Sequence, residues 1–349
     1  MHILNERQYL AQRLSGQRLS IPDIRPIMAH WPSGEHEDYQ LVKTAVDKRF
    51  SRVASEEARK AINDADPALL AARWWPTAST KDYRIMTDLV IWFGMWDDFV
   101  EKLGDDTTAA EDLRIATKDF VQCSFGLANE DSVSDQTNPL ILSFQPIADQ
   151  VCAFYDMDQR RILLGHFDQY IDATRLEEQA ERSTTIPTLK EYWEVRILTS
   201  GMGTLLGLSE LAVQAHLPVD FVQSEAYSTL WVTTVVINSI INDLLSLKKE
   251  MKAKSVLSSV AILFHQYGNL DTAVDMSLEH TRQLVELFDR TADDVLSDPE
   301  LGAKDRDAIS KIVDLMRTVN TGNLSWSLQA KRYGVAEYIK ECGDIELVL

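Results

Sequence analysis

The 349-residue chain is predicted to be an all-α protein, and three observations carry that prediction. Apolar residues recur at three- and four-residue spacing through nearly the whole length, and strand-like alternation is scarce. The breaks in that pattern fall on breakers: Pro67, Pro76, Gly104, Pro139, Pro187, Pro218, Gly268 and Pro299. Residues 17–40 hold Pro22, Pro26, Pro32 and Gly34, which disfavour regular helix and read as a strap laid across the body. Helices are expected near 38–64, 79–103, 107–129, 140–182, 188–215, 219–252, 255–267, 270–297 and 303–340. No linker, low-complexity tract or repeat of solenoid period is evident, so residues 1–349 read as one helical domain with 1–40 as a partly irregular strap.

Composition narrows the function. The chain has 35 Lys plus Arg against 54 Asp plus Glu, a net charge of −19, which argues against a surface for nucleic acid or anionic lipid. An anionic substrate would need a local correction by a divalent cation and a few placed Arg and Lys residues, so acidic clusters become the place to look. The three cysteines, Cys123, Cys152 and Cys342, lack CxxC spacing and suggest neither a disulfide framework nor a zinc site. The N-terminus lacks the apolar stretch of a signal peptide, and no apolar run long enough to span a bilayer is expected. A cytoplasmic protein without stable membrane insertion is expected.

The segment 79–104 opens with Ser79 and Thr80 as candidate caps, and Gly104 is placed to end it. Met86, Leu89 or Val90, and Phe93 form an apolar stripe that four-residue steps continue onto Asp97 and then Glu101, with Asp98 beside them. Carboxylates at the end of an apolar face cost several kcal/mol unless compensated, and a divalent metal is a natural compensation. A solvated helix turn explains WDDFVE equally well when that motif is taken alone.

The segment 230–250 supplies a partner. Asn242, Ser246 and Glu250 stand at i, i+4 and i+8, and Asn238, Val235 and Trp231 precede them on the same side. An amide oxygen, a hydroxyl and a carboxylate make a hard-oxygen set suited to Mg²⁺, which keeps several waters and takes other ligands from substrate phosphate.

With both motifs in view, the chain resembles the class I terpene synthases, in particular the single-domain microbial and fungal sesquiterpene synthases. DDFVE at 97–101 is similar to their aspartate-rich motif, and NDLLSLKKE at 242–250 matches their NDxxSxxxE motif, including the Lys249 that often precedes the glutamate. Arg196 lies 46 residues before Asn242, where this family keeps an arginine that senses diphosphate. Thr199, Ser200 and Gly201 would form the helix break whose backbone carbonyl helps to trigger ionisation; many bacterial members have an acid where this chain has Thr199. Gly201, Gly203 and Gly207 are costly in a regular helix, which favours a break on physical grounds as well. Arg332 and Tyr333 resemble the family's diphosphate-binding pair, with Trp326 six residues before the arginine. The resemblance covers about residues 75–335.

The resemblance implies an α-helical bundle around an apolar cavity and a lyase acting on a small-molecule isoprenyl diphosphate. The implied metal ligands are Asp97, Asp98, Glu101, Asn242, Ser246 and Glu250, holding three Mg²⁺ ions for which Mn²⁺ could substitute. The diphosphate would be held by Arg196, Lys249, Arg332 and Tyr333, with Arg196, Ser200, Phe93 and Trp326 serving the chemistry. Farnesyl diphosphate is the expected substrate and geranylgeranyl diphosphate the alternative, acting in a monomer or homodimer. Trp92, Phe93, Trp96, Phe99, Trp231 and Trp326 are the aromatic candidates for a wall facing a carbocation. Ordinary core packing is the competing reading of each.

Rival readings fit less well. A chain-elongating isoprenyl diphosphate synthase would show a second DDxxD, and a class II cyclase a DxDD motif, of which TADD at 291–294 is the nearest string. A di-iron bundle would need ExxH pairs, and none occurs. A non-catalytic helical scaffold explains the composition but not the order and spacing of the motifs.

Overall fold

The computed structural model describes residues 4–53, 56–104, 106–128 and 137–349. Within them the protein is all-α apart from one two-stranded ribbon. The chain begins with α1 (Glu6–Leu14), closed by a capping box between Asn5 and Gln8. Strand β1 (Arg18–Ile21) follows and pairs antiparallel with β2 (Ile345–Val348) near the other end of the sequence, Arg18 opposite Val348 and Ile21 opposite Ile345. In this ribbon Leu19, Ile21, Ile345 and Leu347 point into the core. Four residues a side are too few to show a period of two, so the strap was legible but its strand was not.

The expected helix 38–64 is two, α2 (Tyr39–Val53) and α3 (Glu56–Ala65), with residues 54 and 55 outside the described residues. Then come α4 (Pro67–Trp74), α5 (Thr80–Leu103) and α6 (Thr107–Ser124). The last predicted residue of α6, 129, is also outside the described residues. The stretch 140–182 divides into α7 (Pro139–Leu142), α8 (Gln145–Phe154) and α9 (Met157–Arg182), because Asp156 takes the amides of Asp158 and Gln159 and starts a new helix. The stretch 188–215 divides into α10 (Leu189–Thr199), α11 (Met202–Leu206) and α12 (Ser209–Val213), and 219–252 into α13 (Val219–Val222) and α14 (Glu225–Lys252), the latter capped by Ser224. After α15 (Ser259–Tyr267) and α16 (Leu270–Leu296), α17 covers Ala303–Gln329. The helix expected over 303–340 therefore stops early. Ala330 is extended, Gly334 takes a positive φ of 62°, and the amide of Arg332 bonds the Asp64 carbonyl instead of a helical partner.

Helix α14 is the axle of the bundle, packed by α10, α13, α15, α16 and α17. It also corrects an expectation: it is long and apolar enough to cross a membrane, with mean hydropathy 1.5 over its most apolar window. That window is 83% buried inside the bundle, so the same composition serves a core helix. A continuous set of buried apolar residues runs from Leu10 to Leu347.

The crossing of α4 and α17 is unusually close. Arg73 bonds Ser325 at 2.7 Å and Gln329 at 2.6 Å, and a methyl group on Gly322 would sit 2.7 Å from the Arg73 carbonyl carbon. Gly165 in α9 has open space where its side chain would be. Gly322→Ala is therefore expected to lose about 1–3 kcal/mol in chemical denaturation by forcing the helices apart. Gly165→Ala should gain about 0.4–1 kcal/mol.

Candidate active site

The first motif is built as the periodicity indicated. Ser79 caps α5 by accepting the Asp82 amide at 3.1 Å. Met86, Leu89 and Phe93 are buried along one face, and the next steps are Asp97, half-buried, and Glu101 at the exposed rim. Asp97 accepts a 2.9 Å hydrogen bond from the Tyr170 hydroxyl of α9. Burial raises the Asp97 carboxyl; the Tyr170 bond opposes this and the Asp98 charge adds to it. Glu101 is raised as well, first by lost hydration and then by the charges of Asp97 and Asp98. Asp98 points to water.

Across the mouth, the last turns of α14 present the second motif. Asn242 accepts from Arg196 Nη2 and donates to the Tyr333 hydroxyl, both at 2.8 Å. Buried Ser246 donates to Glu250 Oε1, while Glu250 Oε2 is buried without a partner among the described residues. Burial, then the Asp243 charge, pushes the Glu250 carboxyl up to about 7. Among the described residues no three His, Cys, Asp or Glu side chains converge as a ready cage, so the oxygen donors stand on two separate walls.

Two residues that spacing did not single out organise this mouth. Asp243, turned about 100° from Asn242 by the helical step, faces away from the mouth. It is buried, accepts the Tyr192 hydroxyl at 2.8 Å and the Ser259 amide and hydroxyl at 2.8 and 2.6 Å, and stands 3.7 Å from Arg196. The available signal was an acid between Ile241 and Leu244 on an apolar helix, which has to be paired. Glu177 lies two turns beyond Tyr170 on α9; burial pushes it up to about 7, with Arg196 opposing and Asp97 and Glu101 reinforcing the rise.

The helix break is where the glycines implied. Gly201 has φ +69°, and a methyl there would lie 3.0 Å from the Phe93 ring. One on Gly207 would lie 2.6 Å from Leu163. The missing side chains let α5 press into the break between α10 and α11, and α9 into the joint between α11 and α12. Ser200 donates to the Ile197 carbonyl and accepts the Met202 amide, and the Gly201 carbonyl accepts the Thr204 hydroxyl at 2.7 Å.

The remaining candidates sort by position. Arg332 and Lys249 are exposed at the rim, and the Lys249 ammonium is held below its usual range by lost hydration and then by the Arg332 charge. Tyr333 is buried, with Trp326 edge-on at 5.4 Å and the Trp326 indole donating to the Ala65 carbonyl. Phe93 packs on Tyr170 at 4.5 Å beside Gly201. Trp92 and Trp96 are packed core, their indoles bonded to the Leu140 carbonyl and the Thr117 hydroxyl. Phe99 is 41% exposed on the outer face of α5, which corrects its proposed place in a cavity wall. Trp231 lines a cavity of about 560 Å³ between α9, α11, α12 and the first half of α14.

Residues 88–286 match the model of terpene synthase family 2, C-terminal metal binding. The sesquiterpene cyclase hepA of Aspergillus oryzae is 27% identical over 99% of this chain and 98% of its own, and a pentalenene synthase of Streptomyces exfoliatus is 24% identical over 89% and 95%. Among solved structures, a-eudesmol synthase superposes with a TM-score of 0.73 at 16% identity, over 86% of this chain and 97% of that one. Germacradien-4-ol synthase from Streptomyces citricolor superposes with a TM-score of 0.71 at 16% identity, over 85% and 96%. The fold and site thus define a class I terpene synthase, an enzyme that cyclises terpenes. The chain belongs to terpene synthase family 2.

Glu250 has a measurable signature. Between pH 4.5, its ordinary value, and about 7, the folded protein keeps a proton that the unfolded chain has released. Stability of the metal-free protein should therefore fall as pH rises through that window, by up to about 3 kcal/mol from this group. Urea denaturation at pH 5 and pH 7 should show a smaller fall in Glu250→Gln than in the wild type. Equal falls would mean that Glu250 is hydrated in the folded protein.

Proposed function

We propose that this terpene cyclase ionises farnesyl diphosphate with the help of Mg²⁺ and guides the resulting cation to a sesquiterpene, releasing diphosphate. The observation that carries the reading is the buried, unpartnered Glu250 Oε2 in line with Ser246 and Asn242, facing Asp97 across a mouth that also holds Arg196. These groups fit a hard divalent cation: they are oxygen donors, one has no proton donor to satisfy it, and the two walls leave phosphate oxygens to complete a shell. Metal-binding chemistry also agrees with the description of the matched family. Asn242, Ser246 and Glu250 would hold metal on one wall, and Asp97, with Asp98 and Glu101 near it, on the other. When bound, three Mg²⁺ ions would neutralise the diphosphate and make it a better leaving group.

The protein's own groups do the rest. Arg196 has an unpartnered Nε–H beside the Nη2 that bonds Asn242, so a planar fork remains available for phosphate oxygens. Lys249, Arg332 and the Tyr333 hydroxyl stand where they could keep the departed diphosphate at the rim. Phe93, pressed against the Gly201 break, offers an aromatic face below the mouth, with Trp326 behind Tyr333 as the second candidate. A C15 chain is favoured by the named sesquiterpene cyclase among the relatives. The unbroken apolar core supports reading residues 1–349 as one unit.

Purified protein with Mg²⁺ should convert farnesyl diphosphate, and not geranyl or geranylgeranyl diphosphate preferentially, as read by gas chromatography. Asp97→Ala and Glu250→Ala should each lose about 10²-fold or more in kcat while keeping their melting temperatures. Arg196→Lys should be nearly as poor as Arg196→Ala, because a point charge cannot replace a fork. Near-normal turnover in the lysine variant would show that Arg196 acts through its field alone.

A further inference from the structure

The cavity of about 560 Å³ lies at the opposite end of α14 from Asn242. Trp231, on its wall, precedes Asn242 by eleven residues, about 16 Å along the helix axis. On α9 the corresponding wall residue is His166, one turn before the Tyr170 that binds Asp97, so α9 and α14 both run from this cavity, which opens to water past Asp158, Arg161, His216 and Val219, to the acidic mouth. The His166 ring stacks on Trp231 with centroids 4.8 Å apart and planes 17° from parallel. Its Nδ1 sits 3.6 Å from the place a side chain on Gly203 would occupy, so the missing side chain leaves that edge of the ring open beside the helix break.

The other titratable groups on this cavity are engaged, apart from the Tyr227 phenol, which burial keeps protonated and so unable to take up a proton. Glu210 accepts the Leu217 amide and Gln159 Nε2, each at 2.9 Å, and lies 3.6 Å from His216. Asp158 pairs with Arg161, Asp156 caps α9, and the Tyr155 hydroxyl bridges Gly207 and Leu211. No hydrogen bond among the described residues uses either nitrogen of His166. Burial holds its imidazole below the usual range, so at neutral pH it is uncharged with a free lone pair.

We propose that His166 is the proton acceptor that ends cyclisation when the cation comes to rest at the end of the isoprenyl chain farthest from the diphosphate. The inference rests on the substrate reading above. Diphosphate held near Arg196 and Asn242 can take a proton only from carbons close to the mouth, and a cation several helical turns away needs a base at that end of α14. In the step, the electron pair of a C–H bond beside the cationic carbon becomes the C=C bond, and the proton moves to the imidazole lone pair. The products are a neutral olefin and an imidazolium. The Trp231 face beneath stabilises that imidazolium by cation–π attraction, and it returns the proton to water once the olefin has left.

The test is His166→Phe, which keeps a ring on Trp231 and removes the lone pair, assayed with farnesyl diphosphate for both diphosphate release and product distribution. Release should continue near the wild-type rate, while the main product falls roughly tenfold or more in share in favour of alcohols or of olefins formed near the mouth. Unchanged product ratios at normal release would overturn the role of His166 and leave the substrate reading standing. No diphosphate release from the wild type would overturn both. A second measurement needs no variant: wild-type enzyme is given farnesyl diphosphate deuterated on its two terminal methyl groups and on the chain carbon next to the one that bears them. The main olefin should have lost deuterium from one of those positions, and full retention would overturn the proposal even if His166→Phe fails to fold.

Discussion

The mouth of this enzyme depends on one buried ion pair, Arg196 with Asp243. A guanidinium and a carboxylate taken out of water are stable only when their remaining donors and acceptors are satisfied. Asp243 meets that condition through the Tyr192 hydroxyl and the amide and hydroxyl of Ser259, the first residue of α15, so one carboxylate ties α10, α14 and α15 together. Arg196 meets it only in part. It reaches Asn242 and Asp243 and keeps an unpartnered Nε–H. The pair therefore fixes Arg196 in place without exhausting it, and it sets the register in which Asn242, Ser246 and Glu250 face the mouth.

Around that pair the mouth carries more acid than base. Asp97, Glu101, Glu177 and Glu250 all have raised carboxyls, each chiefly from lost hydration and then from neighbouring acids, Asp98 beside Asp97 and Asp243 beside Glu250 among them. Arg196, Lys249 and Arg332 oppose them. An anionic diphosphate entering alone would meet like charge, and a cation alone would lack oxygen ligands from a second wall. On the proposed reading the two would solve each other's problem when bound together, so the site would favour a joint complex of cation and diphosphate over either partner separately. The same arrangement would let a chain with net charge −19 handle an anionic substrate.

Much of this was legible because helical spacing is rigid. Four-residue steps from Phe93 reach Asp97, and steps of four from Asn242 reach Ser246 and Glu250, so the facing residues followed from the period alone. The glycines at 201, 203 and 207 announced a break by their cost, although only the packing shows that Phe93, His166 and Leu163 are what they admit. Asp243 and Glu177 escaped because a stripe leading to the mouth cannot reveal a residue one step round the helix or on another helix. Trp92, Phe93 and Trp96 share a helix, and sequence could not say that two of them are locked by indole hydrogen bonds while the third meets the break. The β1–β2 ribbon and the extended chain after Gln329 depend on partners distant in sequence, so local pattern misread 330–340 as helix.

The central claim is that the two walls form one site for cation and diphosphate together. It is tested most directly by thermal unfolding of the enzyme with Mg²⁺, with inorganic diphosphate, and with both. The account predicts a rise in melting temperature with both present that exceeds the sum of the separate shifts, since a ligand that binds only the folded state stabilises it in proportion to the logarithm of its saturation. In Glu250→Ala that excess should vanish. An equal rise in the variant, or separate shifts that merely add, would contradict a site shared by α5 and α14.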